Sequence, residues 1–255
     1  MTLLAESDLE TLRQQLLKNP SFIEPGLLLK AESLVLPNDT LIPMHGTDML
    51  GRPCLVGVFQ RLDAEAYYWA IEAAIAFRDG LHGSDPIYSC GREPRIFLLC
   101  TTLSSSDHAR LRLLGNAVSV RVYKIEPRPT LVIEGSSVWH LELAFPAPDQ
   151  PSHRNPWWLE VDEEHKSCIS RLLAAANRGD PKISILGQPW PLLFSGPSGL
   201  FAALHKSERG LVMVVEGSEV SFPQVLDLNL ESEQDLAVDC VLRNRIAKPK
   251  IFVTN

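Results

Sequence analysis

The run CLVGVF (54–59), the alanine-rich segment DAEAYYWAIEAAIAFRDGL (63–81) and the run RIFLLC (95–100) follow one another, and nothing else in the chain constrains the fold as much. Residues 54–59 are continuously apolar and partly β-branched, which is the pattern of a central strand buried on both faces of its sheet. Asp63 offers a side-chain cap, and Ala70, Ala73, Ala74, Phe77 and Leu81 recur at helical spacing, so a helix is predicted over 63–81. Its small residues let it lie close against a sheet. A serine-rich cap then starts a short helix with Leu111 and Leu114 inward and Gly115 as its stop, and VSVRVYKI (118–125) alternates as a further strand. Strand, helix, strand, helix and strand in this order predict an α/β fold in which right-handed crossovers make the last strands parallel.

Upstream, Leu9, Leu12 and Leu16 mark one face of a helix over 6–18, and Gly46-Thr47-Asp48 with Gly51-Arg52-Pro53 reads as a hairpin leading into strand 54–59. From residue 126 prolines break the rhythm around a strand pair, TLVIEG (130–135) and VWHLELAF (138–145), with a linker at about 146–156. The predicted organisation is an α/β domain over 1–130, a strand pair and Pro-rich linker over 131–156, and a smaller acidic α+β region over 157–255. In the last region a helix is predicted over 162–178. LFAALHK and LVMVVEG form a hairpin around Ser207–Gly210, with His205 a surface or hairpin residue, and Ser232 and Asp235 cap a final helix over about 232–246.

Lys and Arg number 24 against 31 Asp and Glu, a net charge of −7, and most of the acidity follows residue 130. Affinity for phosphate backbones comes largely from Lys and Arg, so this balance argues against a protein that coats nucleic acid or an anionic membrane. No window approaches an apolar membrane span, and the first residues carry acids where a signal peptide carries bases, which points to the cytoplasm. The five cysteines, Cys54, Cys90, Cys100, Cys168 and Cys240, are odd in number and lack a C-x-x-C pair, as reduced thiols do. The histidines never recur at ligand spacing, and neither a metal site nor a cofactor is predicted.

SSSDH (104–108) reads as helix capping rather than a catalytic triad, because neighbours at a helix start cannot adopt triad geometry together. SGPSG (195–199) lacks the lysine of a phosphate loop and reads as a turn. Tyr67, Tyr68, Trp69 and the pair Trp157-Trp158 invite a stacking role, but stacking platforms need a basic groove. Acids follow Trp157-Trp158, so packing between the two halves or a partner surface is the better expectation there, with ordinary core tryptophans as the alternative. Arg110, Arg112, Arg121 and Lys124 form the densest basic cluster and are the candidates for nucleic-acid contact.

The string NPSFIEPGLLLKAESLVLPNDTLIPMHGTDMLGRPCLVGVFQR (19–61) resembles the endonuclease domain of NucS-like, restriction-endonuclease-like proteins of the PD-(D/E)xK superfamily. The order of later elements extends that resemblance over about residues 19–125. It implies a restriction-endonuclease-like mixed sheet with flanking helices, and a site where Asp and Glu hold a divalent metal while Lys steadies the attacking water. Anchored on Gly46, Asp48, Gly51 and Arg52, the alignment puts those three positions on Pro43, Gly57 and Phe59, none of which can act in those roles. Of the nearest substitutes, Gln60 faces the other side of its strand, Asp48 suits a turn and Glu32 stands alone. The expectation is a catalytically inactive nuclease-fold protein, not an enzyme, serving as a protein-interaction or scaffold module in the bacterial cytoplasm, with a protein partner or a second copy of itself. The alternatives are a non-hydrolysing nucleic-acid-binding protein and a metal-dependent nuclease with migrated catalytic residues.

Overall fold

The computed structural model describes residues 6–79, 88, 93–127, 139–145, 161–177, 184–186, 191–196, 199–216 and 223–244. The described residues divide into two compact units, one holding those within 6–20 and 27–145 and the other those within 21–26 and 161–244.

The first unit contains α1 (Glu6–Lys18), β1 (Leu28–Lys30), β2 (Leu34–Val35), β3 (Leu41–Ile42), β4 (Met44–Thr47), β5 (Pro53–Arg61), α2 (Ala64–Arg78), β6 (Arg95–Thr102), α3 (Ser105–Gly115), β7 (Ser119–Pro127) and β8 (Trp139–Phe145). Six strands form one sheet in the order β1-β4-β5-β6-β7-β8. Pairing is parallel between β5 and β6 and between β6 and β7, and antiparallel elsewhere. A mixed sheet with helices is thus the observed fold class. The predicted partner of β8, residues 130–135, and the linker at 146–156 lie outside the described residues. Within them β8 pairs with β7, Lys124 opposite Glu142.

Both α2 and α3 are crossovers between parallel strands, and both lie on the same face of the sheet. Leu55, Leu98, Cys100 and Val122 meet Ala66, Ala70, Ala73 and Phe77 of α2 and Leu111 and Leu114 of α3 in one core. Alanines at helical spacing bring the α2 backbone near the strands, where larger side chains would hold it off. Asp63 starts the helix as predicted, its carboxylate accepting from the backbone N–H groups of Glu65 at 3.1 Å and Ala66 at 3.3 Å.

The second unit is a five-stranded antiparallel sheet in the order β13-β12-β11-β10-β9, formed by β9 (Ser184–Leu186), β10 (Leu192–Gly196), β11 (Gly199–Ser207), β12 (Gly210–Val215) and β13 (Gln224–Asp227). Helices α4 (Glu163–Asn177) and α5 (Glu231–Asn244) pack on one face, with Leu172 and Val241 meeting Leu204, Met213 and Leu226. The predicted hairpin is β11–β12, closed by Ser207 opposite Gly210. Gly210 has φ +120°, and a Cβ there would stand 2.2 Å from the Asn229 side chain, which donates to the Arg209 carbonyl.

Two local readings are corrected. His205 lies in the hairpin but not at its surface: it is fully buried in β11, on the face of the sheet opposite Leu204. Ser232 is not the cap of α5: the helix begins at Glu231, the N–H groups of Glu233 and Gln234 reach the Leu230 carbonyl, and Asp235 pairs with Arg171 of α4. Among the described residues no helix is long and apolar enough to cross a membrane.

Candidate functional site

Pro43 forms the bend between β3 and β4, while Gly57 and Phe59 share the helix-facing side of β5. Aromatic rings occupy that position. A Cβ on Gly57 would lie 2.5 Å from the Phe59 ring and 3.0 Å from the Trp69 ring, which pack edge to face with centroids 5.7 Å apart. Trp69 in turn donates from Nε1 to the Leu41 carbonyl at 2.8 Å, tying α2 to β3.

The nearby carboxylates are used differently. Asp48 is buried, and its Oδ1 accepts from the N–H groups of Leu50 (2.9 Å) and Arg52 (3.0 Å). Its Oδ2 accepts from Arg52 Nε at 2.7 Å and Arg95 Nη1 at 3.1 Å. Arg95, an arginine buried at the start of an apolar strand, also lies over the Phe97 ring, 5.0 Å from its centroid. Asp48 is therefore a hairpin anchor, and Glu32 is exposed. Among the described residues no group of three or more His, Cys, Asp or Glu stands together as metal ligands do.

The four cationic candidates do not share a surface. Arg110 and Arg112 are exposed on α3, and Lys124, half-exposed on β7, donates to Glu126 at 2.6 Å. Arg121 is 4% exposed: an odd number of residues from Lys124 on the same strand, it points to the opposite side of the sheet. Trp157 and Trp158 lie outside the described residues.

What the structure does assemble is a groove of about 810 Å³ between α2 and α3. Tyr68, Ile71 and Ile75 form one wall and Leu113, Leu114 and Ala117 the other, with Arg78, Arg110 and Glu93 on the rim. Tyr68 is 64% and Leu113 74% exposed, large apolar surface for helical side chains. Beside the groove, the Tyr67 hydroxyl donates to Asp107 Oδ1 at 3.1 Å and bridges the helices. Asp107 also accepts from the Ser104 N–H (2.8 Å) and Oγ (2.6 Å), the capping arrangement predicted for SSSDH, and from Arg110 at 3.4 Å. Burial raises the Asp107 pKa, but the bonds from Ser104 and Tyr67 outweigh it and hold the carboxyl below its ordinary range. Burial, reinforced by the bond to Asp107, pushes the Tyr67 phenol up. The Cys100 thiol is raised to about 12, by burial first and by the charge of Asp107 second, so it is protonated at neutral pH.

The sequence reading passed over Ile71 and Leu113, and took up Tyr68 only as a stacking candidate. A signal existed in the second apolar stripe of α2, positions 68, 71 and 75, which runs beside the alanine stripe.

No protein-family model and no curated protein matches the chain. Two solved structures do. One is a repair endonuclease from Pyrococcus abyssi, 16% identical, with a TM-score of 0.37 over 49% of this chain and 50% of that one. The other is an EndoMS-dsDNA2 complex, 17% identical, with a TM-score of 0.37 over 49% of this chain and 47% of that one. The match thus spans about half the length of either neighbour. The expectation that the chain is not an enzyme is corrected by these matches: a repair endonuclease is among them, and nothing shows that activity has been lost.

Proposed function

We propose that the first unit is a protein-interaction module that docks a partner in the α2–α3 groove. The observation that carries this reading is the groove itself, where Tyr68, Ile71 and Leu113 expose contiguous apolar surface although α2 has already buried its alanine stripe and α3 Leu111 and Leu114 in the core. Interfaces favour such a centre of aromatic and aliphatic groups inside a polar, arginine-bearing rim. The cationic candidates give weaker support to a nucleic-acid surface, since Arg121 is buried and Lys124 is held by Glu126.

The test is affinity purification of the tagged full chain from its native host, compared with an Ile71→Glu, Leu113→Glu variant. Loss of a stoichiometric protein partner, with an unchanged thermal midpoint, is expected. An unchanged partner set would refute the reading. Binding of duplex DNA at about 50 mM salt that is lost in an Arg110→Ala, Arg112→Ala variant would replace it with a nucleic-acid surface.

A further inference from the structure

We infer that the occupant of the α2–α3 groove is an amphipathic α-helix carrying two carboxylates about three turns apart, one for Arg110 and one for Arg78; this rests on the groove being a protein-docking site. Both walls are helices whose own N–H and C=O groups are bonded internally, so the groove offers an incoming chain side-chain contacts and no main-chain ladder. An extended peptide would bury its backbone there without partners. A helix satisfies its own, and the trough between two neighbouring helices accepts the ridge of a third.

Arg110 stands level with Tyr67, since both reach Asp107, and Arg78 follows Tyr67 by eleven residues on α2, which is ~16 Å of helix rise. The same rise in a partner helix separates residues eleven positions apart. Both guanidinia are more than half exposed, at 59% and 65%, and each is held by one long contact, to Asp107 at 3.4 Å and to Asp79 at 3.5 Å. Asp107 already accepts three shorter bonds from Ser104 and Tyr67, so Arg110 can turn to a partner without stranding it. Among the described residues that line the groove, Glu93 is the one carboxylate against two arginines, a balance that favours an acidic helix over a basic one.

The experiment uses two fluorescein-labelled, lactam-constrained helical peptides that share an apolar stripe. One carries Glu at two positions eleven residues apart, the other Lys at the same positions, and both are titrated by anisotropy against the full chain. The Glu peptide is expected to bind about tenfold more tightly, an Arg78→Glu, Arg110→Glu variant to reverse the preference, and Leu113→Glu to remove both signals. Circular dichroism confirms that each variant is folded. Equal binding of the two peptides would overturn the charge assignment. If neither binds while Leu113→Glu still removes the cellular partner, the occupant is not such a helix and the groove reading stands. If the cellular partner is also unaffected, both fall.

Discussion

Two places nine residues apart, the hairpin before β5 and Gly57 within it, treat polar groups in opposite ways. At the hairpin, Asp48 is buried among two backbone N–H groups and two guanidinia. At Gly57 the space for a side chain is filled by the rings of Phe59 and Trp69. The difference shows what keeps a carboxylate inside this fold. A buried charge persists where every lone pair meets a donor, and a site without donors closes with apolar surface.

The comparison breaks most visibly at Gly57. Gly57→Glu would collide with both rings and bury a charge with no donor, a loss of more than about 4 kcal/mol. Urea denaturation should find the chain unfolded or strongly destabilised, and an unchanged midpoint would show that the corner is open. Next is Asp48→Ala, which leaves Arg95 buried without its carboxylate and should cost about 3–5 kcal/mol in the same assay. A loss below about 1 kcal/mol would mean that Asp48 does not anchor the hairpin.

Smaller effects sharpen the picture. Asp107→Asn should cost about 1–2 kcal/mol and flatten the acid limb of the pH–stability curve. Because its folded pKa lies below its unfolded value near 3.9, its contribution is present above that value and is lost as pH falls through the folded pKa. An acid limb of the same slope in Asp107→Asn would contradict this. Asp63→Ala should cost about 1 kcal/mol through lost capping. Smallest of all, Leu113→Ser should change the thermal midpoint only marginally, within about ±0.5 kcal/mol, because its side chain is 74% exposed.

Much of the first unit was legible because its signals are local. Asp63 and the alanine stripe announce α2, and the apolar runs at 54–59 and 95–100 announce the paired central strands. Asp48 could be read as a turn residue, yet its second role required Arg95, which is distant in sequence and arrives only through the parallel pairing of β5 with β6. Arg121 was misread because residue type suggested a surface where strand period dictates burial. The groove was hidden for a related reason. Tyr68, Ile71 and Leu113 belong to different helices, and only two successive right-handed crossovers place those helices side by side on one face. In the second unit, Ser232 looked like a cap, but the helix takes up Glu231 ahead of it.

The most direct test of the central claim is site-specific photocrosslinking in living cells of the native host. A benzophenone side chain is placed in turn at Leu113, inside the groove, and at Val35, exposed on the β2–β3 ribbon away from it. A discrete protein adduct from Leu113, absent at Val35 and lost when Ile71→Glu is added, is the predicted result. Adducts of equal yield at both positions, or none at Leu113, would contradict the groove as the docking surface.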